Sequence, residues 1–226
     1  MPEAKEKILS VKEMRDVDAK AVSLGLPILL MMENAGNALA RYMLQGLQDL
    51  HQKKVTVVCG LSNNGGGGFA SARHLAYYGA NVTVVLLGIP ETIKTTDAKL
   101  QWKTIEQLKH IPKITITSVK QIHVVKTTIA KSDGIVDAII GTGYSSAKIR
   151  EPASSIIDLI NASQAYIVSN DVPSGIDADT GLIPDKAVSP DIIVTLHRMK
   201  LGLTKNHLIT TAIANIGISP ESEMHR

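Results

Sequence analysis

The sequence predicts an α/β protein with a mostly parallel central sheet of about seven or eight strands, covered by helices on both faces. Short apolar, β-branched runs such as VTVVC, VTVVLL and IVDAII recur between residues 54 and 216. Their near-continuous hydrophobicity is typical of strands that are buried on both faces. Segments with polar and apolar residues at helical spacing separate these runs, as expected for the crossover helices of a parallel sheet.

The elements can be assigned in order along the chain. The residues before the first run predict two helices, one from Val11 to about Val22 and one from Pro27 to about Leu50. Strands are predicted at Val55 to Cys59, Asn81 to Leu87, Ile114 to Thr117, Gly134 to Ile140, Ala165 to Ser169, Asp191 to Leu196 and Thr211 to Asn215. Crossover helices are expected at about Phe69 to Tyr78, Glu91 to Lys109, Gln121 to Lys131 and Pro152 to Ala162.

Composition favours a small-molecule ligand. The 226 residues carry 24 Lys and Arg against 21 Asp and Glu, a formal net charge of +3, which is too small to indicate a nucleic-acid or membrane surface. Aromatic residues make up 3%, so few side chains are available for stacking bases. With one cysteine, Cys59, and no apolar run long enough to span a bilayer, we expect a cytoplasmic protein with a single domain over residues 1–226.

The strongest local signal is the run from Cys59 to Gly68, which contains the four consecutive glycines Gly65–Gly68. Glycine adopts positive φ and lets backbone amides approach an anion, and the N-terminus of the following helix attracts negative charge. We therefore expect a loop that contacts a phosphate or pyrophosphate. We do not expect the four glycines to be there for packing. A tight turn with surplus glycine is the alternative. The run matches neither G-x-G-x-x-G nor the P-loop pattern.

Two further motifs follow later strands. Asp137 lies in an apolar strand, where an ionised carboxylate needs a partner, so ligand binding and loop bracing are alternatives for it. The segment from Asp171 to Pro190 is predicted to be an ordered loop of a functional site. Within it, Asp177 and Asp179 are turn formers beside glycine, which makes Asp171 the better catalytic candidate. Because the carboxyl ends of parallel strands share one edge, the three motifs predict one cleft.

A cation site built from oxygen ligands is a further expectation. The seven histidines show no H-E-x-x-H pattern or short paired spacing, which disfavours a transition metal. Asn64, Asp137 and Ser174 would suit a hard cation, either a monovalent ion or magnesium. Lys200, after the sixth strand, is expected either to pair with a ligand phosphate or to remain solvated.

Together these motifs resemble one known family, the NAD(P)H-hydrate epimerases, also called the YjeF N-terminal domain. The matching stretches occur in the family's order over almost the whole chain: Met32-Glu33-Asn34-Ala35-Gly36, Asn63-Asn64-Gly65-Gly66, Asp137 to Gly143, Asp171 to Gly181 and Lys200-Leu201-Gly202-Leu203. The resemblance implies a three-layer α/β/α, Rossmann-like sandwich. It also implies an isomerase that binds hydrated NADH or NADPH and interconverts its R and S forms in cofactor repair.

The resemblance assigns roles to individual residues. Asp171 would be catalytic, protonating the leaving hydroxyl and activating the water that replaces it on the other face. One potassium ion per subunit would be held by Asn64, Asp137 and Ser174. The positions that would bind substrate are Asn63, Asn64, Gly65, Gly66, Gly67, Gly141, Thr142, Gly143, Tyr144, Ser145, Ser146, Ala147 and Asp171.

One position departs from the family pattern. The family usually reads Asn-Asn-Gly-Gly-Asp-Gly, whereas this sequence has Gly67 at the Asp position. The missing carboxylate removes a hydrogen-bond acceptor and is expected to make the loop more flexible. An alternative function is therefore a catalytically degenerate domain of the same fold that binds a nucleotide or a protein partner.

The family also suggests partners. Many relatives are fused to a dehydratase that removes the hydrate, and this chain of 226 residues is expected to work beside a separate dehydratase. A homodimer is expected as well. The helix face around Met31 and Met32 is one candidate for its interface, although methionines at helical spacing more often belong to the core.

Overall fold

The structure, a computed structural model, describes residues 7–144, 148–205 and 209–223. The strands within these residues are β1 (Ile8–Leu9), β2 (Lys54–Cys59), β3 (Asn81–Leu86), β4 (Lys113–Thr115), β5 (Gly134–Ala138), β6 (Tyr166–Asn170), β7 (Ile192–Leu196), β8 (Met199–Lys200) and β9 (Thr210–Ala214). The α-helices are α1 (Val11–Ser23), α2 (Ile28–Leu47), α3 (Asn63–Tyr77), α4 (Thr96–Glu106), α5 (Ile122–Ala130) and α6 (Ala153–Asn161).

The central sheet contains seven strands in the order β4-β3-β2-β5-β6-β7-β9. All its neighbouring pairs are parallel. At its centre, Val57 of β2 lies between Val84 of β3 and Val136 of β5, and all three side chains are buried. The seven predicted strands and the predicted sheet type are therefore confirmed.

Helices cover both faces of the sheet. On one face, Leu39 of α2, Phe69 of α3 and Trp102 of α4 belong to one core with the valines of the sheet. On the other face, Ile129 of α5 and Ile156 of α6 form a second core. This arrangement confirms the three-layer α/β/α sandwich.

The largest difference from the sequence prediction concerns the glycine run. Helix α3 begins at Asn63, not near Phe69, so Gly65–Gly68 lie in its first turns and none of them has positive φ. The predicted glycine loop is therefore wrong, because Gly67 and its neighbours are helical.

The glycines serve packing, contrary to the prediction. A Cβ on Gly65 would lie 2.0 Å from the carbonyl oxygen of Gly60, and one on Gly66 would lie 2.4 Å from Sδ of Met32. A Cβ on Gly68 would lie 2.6 Å from Sγ of Cys59. The helix can lie this close to β2 and α2 only because these positions have no side chain.

A small second sheet was not predicted. Strand β1 pairs in parallel with β8, which places Leu9 beside Lys200. Helix α1 then begins at a capping box formed by Ser10 and Glu13, and the amide of Val11 donates to Asp179 Oδ1 over 2.7 Å. The N-terminal helix is thereby held next to the segment that carries Lys200.

Two further observations concern surfaces. Met31 and Met32 are buried, so they belong to the core and do not offer a helix face to a second subunit. In the parts of the chain that the structure describes, no helix is both long and apolar enough to cross a membrane.

Candidate active site

A cavity of about 940 Å³ opens at the carboxyl ends of β2, β5 and β6. From β2 the chain continues outward through β3 and β4, whereas β5 begins the other half of the sheet, so the cavity lies at the switch point where open α/β sheets bind ligands. The predicted single cleft is thus present. The predicted substrate-binding residues that line it are Asn63, Asn64, Gly67, Gly141, Thr142, Gly143, Tyr144 and Asp171.

The remaining predicted substrate-binding residues do not line the cavity or cannot be placed. Gly65 and Gly66 are buried in the packing of α3 and are not part of the lining. Ser145, Ser146 and Ala147 lie outside the described residues.

The N-terminus of α3 forms part of the cavity wall. The amide of Gly66 donates to the carbonyl of Ser62 over 3.0 Å. The amides of Asn63, Asn64 and Gly65 precede it and have no carbonyl partner within the helix. Together with the helix dipole they favour an anion at this end of the cavity. Of the two predicted sources of anion attraction, the structure contains the helix N-terminus and lacks the glycine loop.

Asp171 is held in an uncommon backbone conformation. It directly follows β6 and has φ of 69°, a left-handed value that non-glycine residues rarely adopt and that is often found at functional sites. Its Oδ1 accepts hydrogen bonds from the Leu196 amide over 3.0 Å, from Thr195 Oγ1 over 3.4 Å and from Lys200 Nζ. None of the hydrogen bonds among the described residues uses Oδ2, which leaves that oxygen available to a ligand.

Lys200 is the ion-pair partner of Asp171. Its side chain is 1% exposed, and its Nζ also donates to the carbonyl of Leu196 over 2.7 Å. Both expectations for Lys200 are therefore wrong, since it is neither solvated nor free to pair with a ligand phosphate.

Asp137 braces the loops behind the cavity. It is completely buried, and its Oδ2 accepts from Ser169 Oγ over 2.8 Å and from the Ser174 amide over 2.9 Å. Its Oδ1 accepts from Ser174 Oγ over 2.5 Å and from the Ile139 amide over 3.3 Å. Burial raises the pKa of Asp137 even though these hydrogen bonds lower it. This geometry matches loop bracing, one of the two alternatives predicted for Asp137.

The turn-forming role predicted for Asp177 is also present. Its Oδ1 accepts from the amides of Thr180 over 2.7 Å and Asp179 over 3.1 Å. The backbone hydrogen bond from Thr180 is the main cause that lowers the pKa of Asp177. Residues 171–191 contain no helix or strand, as predicted for a site loop.

Two asparagines leave polar atoms without partners at the cavity wall. Asn170 Nδ2 donates to the Asn64 carbonyl over 3.1 Å. Asn170 Oδ1 and Asn64 Nδ2 are buried and have no hydrogen-bond partner among the described residues. Because buried polar atoms are nearly always hydrogen-bonded, these two atoms indicate a place for polar groups of a ligand.

Sequence reasoning missed several residues of the lining. The charged ones are Arg15, Asp18, Lys94, Lys148, Arg150 and Glu151. Burial and the charge of Asp171 raise the pKa of Asp18 to about 6, although Lys200 lowers it. A signal for Asp18 was present in the sequence, because it follows Met14 by four residues and Val17 by one, on the apolar side of a predicted helix.

The described residues contain no group of three or more His, Cys, Asp or Glu side chains that could hold a metal ion. Any cation in this part of the chain would therefore depend on hydroxyl, amide and carbonyl oxygens beside at most two of these side chains. That donor set is typical of hard cations.

Residues 29–202 match the model of the family described as YjeF-related protein N-terminus. The chain belongs to this family. Its YjeF-related core thus includes α2, the cavity-lining end of α3, Asp171 and Lys200, whereas α1 precedes the matched residues.

Curated members of the family cover almost the whole chain. The NAD(P)H-hydrate epimerase of Nitrosopumilus maritimus is 38% identical over 95% of this chain and 97% of its own length. That of Cenarchaeum symbiosum is 39% identical over the same shares. The bifunctional NAD(P)H-hydrate repair enzyme of Methanothermobacter thermautotrophicus is 40% identical over 96% of this chain but only 41% of its own length.

A solved structure shares the fold. The crystal structure of yeast ynu0 superposes with a TM-score of 0.78 and 27% sequence identity, covering 92% of this chain and 87% of the yeast chain. This structural similarity therefore covers more of the chain than the family match over residues 29–202.

Proposed function

We propose that this protein is an NAD(P)H-hydrate epimerase that interconverts the R and S forms of hydrated NADH and NADPH. The observation that carries the proposal is Asp171, whose Oδ2 is available in a cavity at the switch point of the sheet. Relatives of matching length that bear the name NAD(P)H-hydrate epimerase support the same activity.

The cavity has features that suit a dinucleotide. The N-terminus of α3 offers backbone amides for a pyrophosphate, and Lys94, Lys148 and Arg150 bring positive charge to the same lining. The unpartnered atoms Asn64 Nδ2 and Asn170 Oδ1 provide a donor and an acceptor for the polar groups of the ligand. A modest net charge is therefore compatible with binding a dianionic pyrophosphate.

The proposed chemistry is loss and return of a hydroxyl group. The C–O bond of the hydrate breaks, the ring nitrogen supplies its lone pair to form an iminium, and water then adds from the opposite face. Proton transfer is needed to make the hydroxyl leave and to activate the incoming water. Asp171 is held by three donors on Oδ1, which orients Oδ2 for proton transfer.

We also propose that a potassium ion binds at Asn64, Asp137 and Ser174. Asp137 and Ser174 are hydrogen-bonded to each other, and among the described residues Asp137 has no cationic partner. A monovalent cation would offset the cost of this buried carboxylate and order the loops that follow β5 and β6. Thermal stability should rise with potassium but not with an equal concentration of sodium, and equal effects of the two salts would contradict the ion's identity.

Three further parts of the proposal concern the pathway partner, the location and the oligomeric state. The product would pass to a dehydratase, consistent with the longer relatives that are named bifunctional repair enzymes. The dehydratase would be a separate protein, the chain would be cytoplasmic, and it would form a homodimer. Light scattering on the purified chain tests the dimer, and a monomer at micromolar concentration would contradict it.

The test of the activity uses one hydrate epimer, with interconversion followed by chromatography after the uncatalysed rate is subtracted. Asp171→Asn should abolish catalysed interconversion while dinucleotide binding remains measurable by calorimetry. Asp158→Asn, which changes a carboxylate that is 60% exposed, is the matched control and should behave as wild type. Turnover by Asp171→Asn would exclude its catalytic role. Binding without turnover by wild type would favour the degenerate nucleotide-binding domain.

A further inference from the structure

The cavity contains a second carboxylate besides Asp171. Asp18 of α1 lies in the same lining, although α1 precedes the residues that match the family model. We propose that Asp18 is a second catalytic residue, which exchanges protons with the substrate hydroxyl while Asp171 serves the opposite transfer. This inference rests on the proposed epimerase function.

Asp18 lies on the buried side of α1, where a carboxylate is unusual. The buried residues of α1 are Met14, Val17 and Ala21, and Asp18 fills the remaining position of this i, i+3, i+4, i+7 stripe. Such a position normally holds an apolar residue that packs on the core. Here it brings a carboxylate to the cavity, and none of the hydrogen bonds among the described residues involves its side chain.

The electrostatic environments of the two carboxyl groups differ. Asp171 forms an ion pair with the buried Lys200. Burial, with the nearby negative charge of Asp171, raises the pKa of Asp18 to about 6, and Lys200 only partly opposes this. Two carboxyl groups whose environments differ in this way are the usual basis for acid and base roles in one site.

Several other charged groups lie near α1. The 3-10 helix Pro220–Glu223 contacts α1, and its Glu223 forms ion pairs with Arg198 and Lys7 and lies 2.8 Å from Nε2 of His197. Glu221 lies on the same turn. Arg15 is on α1 itself and lines the cavity. The protonation of Asp18 is thus set mainly by burial, Asp171 and Lys200.

Each step of the proposed reaction is balanced. The protonated Asp18 gives its proton to the hydroxyl, the C–O bond breaks with its electron pair on oxygen, and water leaves as the ring nitrogen forms the iminium. Water then adds to the other face, the C=N electron pair returns to nitrogen, and Asp171 takes the released proton. The reverse reaction uses the two residues in exchanged roles, and proton exchange with solvent resets the pair.

The test compares Asp18→Asn, Asp18→Glu and the control Asp16→Asn, an exposed carboxylate on the same helix. We expect Asp18→Asn to lose about a hundredfold or more in kcat with KM changed less than about threefold. Asp18→Glu should recover part of the loss, and Asp16→Asn should match wild type. Wild-type kcat/KM should fall above about pH 6 in both directions, and this fall should be absent from the residual activity of Asp18→Asn.

Several outcomes would overturn the inference. A wild-type rate for Asp18→Asn would overturn it. A raised KM with an unchanged pH profile would also overturn it, because that result describes a role in binding alone. If circular dichroism shows that Asp18→Asn does not fold, the test uses Asp18→Glu instead. A folded Asp18→Glu that loses activity but keeps the wild-type pH profile would contradict proton transfer by Asp18. Absence of turnover by wild type would overturn the epimerase function itself, and the role of Asp18 with it.

Discussion

At the scale of single residues, the pair of Asp171 and Lys200 allows stability and chemistry to be separated. Asp171→Asn leaves the Lys200 ammonium buried beside a neutral amide, which should lower the free energy of unfolding by roughly 3 kcal/mol. Adding Lys200→Met removes the buried charge and should recover most of this loss. Neither variant should catalyse interconversion. Urea unfolding of both proteins checks the prediction, and a double variant no more stable than Asp171→Asn would contradict it.

Gly67 is the residue at which this sequence departs from its family, and the structure shows what a side chain would meet there. A Cβ would lie 2.8 Å from Nδ2 of Asn170 and more than 3.5 Å from the other nearest atoms. Because Nδ2 is the movable end of a side chain, we expect Gly67→Asp to fold normally and to place a hydrogen-bond acceptor at the cavity wall.

The new carboxylate of Gly67→Asp should lower KM for the hydrate by about fivefold, the equivalent of one hydrogen bond of about 1 kcal/mol. Gly67→Ala is the matched control, since it adds the Cβ without the carboxylate. The same gain in both variants would assign the effect to helix propensity and not to a hydrogen bond with substrate.

At the scale of elements, the start of α3 shows where sequence reasoning fails. Four consecutive glycines have poor helix propensity and no side-chain pattern, so a loop was the natural prediction. Tertiary packing decides otherwise, because the helix must approach Gly60, Met32 and Cys59 too closely for any Cβ. Close approach of this kind depends on partners that are distant in sequence, so local patterns do not reveal it.

This packing leads to a prediction about neighbouring positions of α3. Replacing glycine by alanine inside a helix normally gains up to about 1 kcal/mol. At Gly65 the new Cβ would lie 2.0 Å from the backbone oxygen of Gly60, and overpacking of this kind should outweigh the gain and destabilise the protein by about 2 kcal/mol. Gly67→Ala, which meets only the amide end of Asn170, should be neutral or slightly stabilising. Thermal unfolding distinguishes them, and equal melting temperatures would contradict the packing argument.

At the scale of the whole molecule, the sequence predicted the architecture well. Buried parallel strands have a clear signature, and their shared edge was enough to place Asn63, Gly141 and Asp171 in one cleft. The sequence did not predict that α1 reaches this cleft. That placement depends on the pairing of β1 with β8, and strands of two residues have no period to detect. Asp18 was missed for this reason, and the burial of Lys200 was missed because its ion pair with Asp171 forms across the fold.

The position of Asp18 also predicts a pH dependence of global stability. Its folded pKa of about 6 lies above the ordinary value of 3.8, so the folded state binds this proton more tightly than the unfolded state. Its contribution to stability is therefore largest at low pH and is lost as pH rises through about 4 to 6. Asp18→Asn cannot ionise and should avoid the loss.

We consequently expect Asp18→Asn to gain stability over wild type on going from pH 4 to pH 7.5, by on the order of 2 kcal/mol. Urea unfolding at the two pH values measures this change, and Asp16→Asn, on the exposed side of the same helix, should show no such gain. A difference between Asp18→Asn and wild type that stays constant with pH would contradict the raised pKa. A gain in stability combined with a loss of turnover would mean that the fold tolerates a costly carboxylate at this position because catalysis requires it.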